Sequence, residues 1–76
     1  MKELLLYVAK NLVSDPDAVT VTEVEEENQT VLELRVASAD VGKVIGRHGR
    51  VAHEIRTLIR STAQRSGKKV SVEIID

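Results

Sequence analysis

Gly46-Arg47-His48-Gly49 lies between two apolar-periodic segments, and a connection this short holds two helices close together. Glycine reaches positive φ at no steric cost and lets another chain pass without a Cβ in the way. Lys43, Arg47 and Arg50 flank the turn, so a phosphate is the visitor its chemistry suits. Amides at the start of the following helix point toward the turn, and the helix dipole favours an anion there. A purely structural helix–turn–helix connection would need the same glycines, and a bare Gly-x-x-Gly is weak evidence by itself. Its setting, with Val44-Ile45 before it and Arg50-Val51 with Ile55 after it, makes it specific.

Charge is distributed to match. Between Lys43 and Lys69 eight basic residues face Glu54 alone, a net of +7, whereas the remainder carries three basic and eleven acidic residues. Such a chain can offer a basic face to a polyanion while its overall charge stays at −1. The plainer reading for Arg56, Arg60 and Arg65 is that they solvate the outer face of a helix. Tyr7 is the only aromatic residue, so nucleic acid would be bound without aromatic stacking platforms. With 76 residues and no cysteine, the chain reads as one small domain in a reducing, cytoplasmic setting, without disulfides or thiolate metal sites. No apolar run approaches the roughly 20 residues that span a bilayer. The start of the chain lacks a signal-peptide pattern.

In chain order, residues 2–13 read as a helix, with Leu4, Val8 and Leu12 at i, i+4, i+8, stopped by Ser14-Asp15-Pro16-Asp17. Val19–Val24 are rich in β-branched residues and predict a strand over 19–26. Glu25-Glu26-Glu27 protects its edge and runs into a hairpin turn at Asn28-Gln29. Residues 30–37 form a second strand, with Leu32, Leu34 and Val36 on its covered face. Ser38 is a good N-cap for a short helix of about two turns before Gly46, with Asp40 favourable in its first turn. A long helix follows from about Arg50 to Arg65, capped by Gly67, and Val70–Ile75 close the chain as a strand. The order α-β-β-α-α-β predicts an α+β fold: a three-stranded mixed sheet, hairpin strands antiparallel and the crossover pair parallel, with helices packed on one face.

On the long helix Val51, Ile55, Leu58 and Thr62 read as the core stripe, widened by Ala52, Ile59 and Ala63 to an arc of roughly 140°. That exceeds what a sheet alone requires. The margin is expected to meet another helix of the domain or a second chain, and Ala52, Ile59 and Ala63 are the candidate partner surface.

Val44 to Val51 resembles the signature of the KH domain, whose Gly-x-x-Gly loop clamps about four nucleotides. The helix and hairpin ahead of a β-α-α-β core, about residues 29–76, resemble the type II arrangement. The likeness covers residues 1–76 as a single domain. A free-standing domain with Ser14-Asp15-Pro16-Asp17 after its first helix is similar to small bacterial RNA-binding members of the family. The resemblance implies a cytoplasmic protein that binds single-stranded RNA, as a homodimer or with a larger, multidomain KH partner. It also implies RNA chaperone-like regulation linked to cell-shape and cell-wall homeostasis. Carried onto this chain, the loop is Gly46, Arg47, His48 and Gly49. The apolar groove for bases is Gly42, Val44 or Ile45 and Val51, with help from Leu34–Val36, and Lys43 and Arg50 add charge.

Other chemistry finds little support. His48 and His53 are five apart with no third ligand, so they suit no common metal site. His48 reads as a contact for RNA or water, and His53 belongs to the polar helix face. Glu54 pairs more naturally with an arginine one turn away than it serves as a base. No nucleophile–base pair is evident, no cofactor is implied, and the glycine spacing fits neither a dinucleotide fingerprint nor a nucleoside-triphosphate loop. Two rival readings remain: a protein-interaction module with incidental nucleic-acid binding, and a single-stranded DNA binder.

Overall fold

A computed structural model describes residues 1–75; Asp76, the last residue of the expected domain, lies outside the described residues. The elements are α1 (Lys2–Leu12), β1 (Thr20–Glu25), β2 (Thr30–Arg35), α2 (Val41–Ile45), α3 (Arg50–Arg65) and β3 (Val70–Ile75), joined in part by single 3₁₀ turns. This is the expected order. The sheet runs β1-β2-β3, with β1 antiparallel to β2 and β2 parallel to β3. Glu26 and Gln29 exchange backbone hydrogen bonds across a two-residue hairpin loop. At the far end of α3, Gly67 takes φ 69° and the Lys68 and Gly67 amides close onto Ala63 and Gln64. That double closure satisfies carbonyls the helix would otherwise leave open.

One local reading fails. Ser38 does not cap a helix; it opens a 3₁₀ turn, Ser38–Asp40, and α2 proper starts at Val41 with no side-chain cap. The tighter turn shortens α2 to five residues, too few to be stable without tertiary ties.

The core lies between the sheet and the helices: Leu5 and Ala9 of α1, Val21, Leu32, Leu34, Val70 and Val72 of the sheet, and Ile55, Ile59 and Ala63 of α3. This corrects the helix arc. The buried stripe is Ala52, Ile55, Ile59 and Ala63, at i, i+3, i+7 and i+11, while Leu58 is left 42% exposed. Ala52, Ile59 and Ala63 are therefore interior to this chain and offer no surface to a partner. Ile55, Ile59 and Ala63 pack with Leu32, Leu34, Val70 and Val72 of the sheet. The apolar edge left over faces α1, where Val8, Leu12, Val51, Ile55 and Leu58, with Glu54, line an open groove of about 210 Å³.

Candidate nucleic-acid interface

The β2–α2 and α2–α3 connections place the Gly46–Gly49 turn at the end of the sheet opposite the acidic hairpin. Gly46 ends α2 at φ 75°, ψ 172°, a conformation essentially confined to glycine. Its amide still donates to the Gly42 carbonyl at 2.9 Å, and Gly49 donates to Gly46 at 3.1 Å. A Cβ on Gly46 would stand 2.5 Å from Val51 Cγ2 and 2.9 Å from the Val51 nitrogen. The first glycine is thus required twice, by its backbone angles and by the side chain beneath it. Gly49 also has positive φ, 73°, but faces open space.

Between them His48 adopts φ 57°, ψ 24°. Histidine is among the few non-glycine residues that tolerate this region. The consequence is a tip on which Arg47 and His48 are both exposed, with exposed Arg50 opening α3. Among the described residues the ion pairs are Arg35–Glu33 and Lys43–Asp40, so Arg47 and Arg50 keep their charge unneutralised. No side chain caps the first turn of α3, and no acidic residue stands in it. A positive helix end and two guanidinium groups without an ion-pair partner among the described residues make a surface for an anion.

Several expected site residues have other tasks. Val44 is 0% exposed, a core residue under α2 that no base could touch, because the inward side of this one-turn helix must anchor it. Leu34 is equally buried. Gly42 and Ile45 are exposed beside the turn, while Val51 is half-buried as the buttress under Gly46. Lys43 is drawn back: its ammonium lies 3.3 Å from Asp40 Oδ1 and donates to the Ser14 hydroxyl. The basic segment is also divided. α3 spans about 24 Å at 1.5 Å per residue, so Lys68 and Lys69 lie at its far end, where they share an open depression with Glu25–Glu27. Arg56 donates from Nε to the Val72 carbonyl on β3 at 3.2 Å. It serves the fold.

Asp40 is the functional neighbour that the sequence reading undervalued. It is 2% exposed and the only buried charged side chain among the described residues. Its Oδ2 accepts the Asp15 amide at 3.0 Å. The Ser14 amide foremost, then those of Asp15 and the Lys43 ammonium, hold its carboxyl below the ordinary value of 3.8 against the opposing effect of burial. A depressed carboxyl stabilises the fold fully above that ordinary value and loses its contribution as pH falls through the lower folded value. Acid unfolding followed by circular dichroism should show this loss in the native chain, and Asp40→Asn should flatten it. The signal in the sequence was Asp40 three residues ahead of Lys43, together with a proline turn whose amides needed an acceptor.

Among the described residues no cluster of three or more His, Cys, Asp or Glu could hold a metal, and no helix is long and apolar enough to cross a membrane. Against known proteins, residues 2–74 match the model of the KhpA/KhpB KH domain. The chain is 53% identical to RNA-binding protein KhpA of Clostridium acetobutylicum over 75 residues, covering 99% of this chain and 100% of that protein. It is 51% identical to RNA-binding protein KhpA of Treponema pallidum, over 99% of this chain and 94% of that one. Among solved structures, Era of Aquifex aeolicus bound to GDP and AlF4− superposes with a TM-score of 0.65 at 22% identity. That match covers 96% of this chain and 28% of Era, and it speaks for the fold alone. The chain belongs to the KhpA/KhpB family of KH domains, and its α-β-β-α-α-β order is the type II form of that fold.

Proposed function

We propose that the chain, as one KH module, binds single-stranded RNA through the Gly46–Gly49 turn. The sugar-phosphate backbone runs against the turn and the start of α3, held by Arg47, His48 and Arg50, with bases toward Gly42, Ile45 and the exposed edge of Val51. The observation that carries this reading is the turn itself: two glycines at positive φ presenting exposed cations that no carboxylate among the described residues neutralises. The name RNA-binding protein KhpA carried by its relatives supports RNA over single-stranded DNA. On the same reading it works in the cytoplasm as an RNA chaperone or post-transcriptional regulator and not as an enzyme. It acts as a homodimer or with a larger KhpB-type KH protein, in the service of cell-shape and cell-wall homeostasis. Binding of a short single-stranded RNA, weakening steeply with salt and exceeding that of the matching DNA, is the direct test.

The groove beside Leu58 favours assembly as a companion activity, since an apolar groove whose lining carries one charged residue, Glu54, suits a protein partner. Two substitutions one residue apart separate assembly from folding. Leu58→Lys should leave the thermal midpoint nearly unchanged and lower the mass measured by sedimentation. Ile59→Lys, which forces an ammonium into a site 1% exposed, should destabilise the fold by about 4 kcal/mol or more. A folded Ile59→Lys variant that only loses its partner would reverse this assignment of faces.

A further inference from the structure

We propose that Asp40 is a positioning residue for the Gly46–Gly49 turn, and that in holding α2 it withdraws Lys43 from the phosphate-binding cations. The proposal rests on the RNA-binding reading of that turn. α2 has five residues and cannot fix its own position. Val44 anchors it from beneath, and Asp40 anchors its start. The Asp40 carboxylate reaches 25 residues back along the chain to the Asp15 amide, fastening the segment after α1 to the entry of α2. Gly46 follows α2 directly and its amide is bonded to Gly42, so a shift of α2 moves the turn with it.

The same carboxylate explains Lys43. A buried charge must be paired and hydrogen-bonded to persist, and Lys43 supplies the pairing at 3.3 Å while also donating to Ser14. Swinging Lys43 out to a phosphate would leave Asp40 without its counter-charge. Lys43 neighbours the turn in sequence but works on its supporting side.

Electrostatics alone and positioning predict opposite signs. Asp40→Asn removes a negative charge near the turn and releases Lys43, which by charge alone tightens RNA binding and steepens its salt dependence. The positioning role requires the reverse: about fivefold weaker binding of a short mixed-sequence single-stranded RNA, measured well below the thermal midpoint of the variant. Lys43→Met should leave the slope of log affinity against log salt unchanged, whereas Arg47→Met should reduce it by about one. Amide hydrogen exchange on the RNA-free protein gives an arm independent of any ligand. In Asp40→Asn the Asp15, Gly46 and Gly49 amides should exchange faster while Leu32 and Leu34 in the central strand do not change. Equal or tighter RNA binding by Asp40→Asn, a reduced slope for Lys43→Met, or exchange that is unchanged at the turn or faster everywhere would each overturn the proposal. If the native chain binds no RNA, the RNA-binding reading falls and the exchange arm alone decides whether Asp40 positions the turn.

Discussion

Replacing Arg47 and His48 together by aspartate should lower affinity for short single-stranded RNA by about 100-fold or more while the fold persists, since phosphate contacts carry most of such binding. Both side chains stand exposed at the tip of the turn, and among the described residues neither takes part in a side-chain hydrogen bond or ion pair. Aspartate at position 48 is also compatible with the left-handed backbone that His48 adopts at φ 57°, because aspartate is enriched there. The double change therefore inverts the charge of the tip without straining it. Urea unfolding should shift by no more than about 0.5 kcal/mol, as for surface substitutions generally. Retained affinity in a folded variant would remove the turn from the binding site and leave assembly as the activity that matters.

The reason this variant can be chosen from sequence, and others could not, lies in which features are local. The glycines at 46 and 49, the proline at 16, the alternation of Leu32 and Leu34 and the αL cap at Gly67 each impose a conformation within a few residues, and each appears where expected. The face of α3 is a different kind of problem. Periodicity places Val51, Ile55, Leu58 and Thr62 at the centre of one broad apolar arc and Ala52, Ile59 and Ala63 at its margin, and the fold buries the margin while leaving Leu58 exposed. The choice between Leu58 and Ile59 is made by which side of the arc meets the sheet and α1, which is fixed only once both layers are placed. Charge behaves similarly. Eight cations in one stretch look like a single basic face. Folding instead sends Lys68 and Lys69 to the acidic hairpin, spends Arg56 on a strand carbonyl and ties Lys43 to Asp40. Arg60 and Arg65 lie further along α3 toward the end that holds Lys68 and Lys69, so what stands at the turn for a phosphate is Arg47 and Arg50, with His48 between them.

The two glycines of that turn should not be equivalent, although the motif treats them as a pair. Gly49 faces open space, so alanine there costs only the left-handed backbone, about 1–2 kcal/mol, and asparagine should cost less. Gly46 combines φ 75° and ψ 172° with a Val51 side chain 2.5 Å from where a Cβ would stand. Its backbone strain alone is about 1–3 kcal/mol, and overpacking against Val51 adds about 1–3 kcal/mol. Val51 cannot simply swing aside, because its own Cβ and backbone nitrogen lie at 2.8 and 2.9 Å from the same point. A domain of 76 residues has about 4–11 kcal/mol of stability in total, so Gly46→Ala should consume much of it or deform the junction between α2 and α3. In urea unfolding the midpoint of Gly46→Ala should fall well below that of Gly49→Ala. RNA binding should be lost in Gly46→Ala even where it remains folded, because relief of the clash must displace the start of α3 and the amides it presents. Equal midpoints for the two variants would mean that Val51 does not brace the turn, and that the spacing of the glycines reflects backbone angles alone.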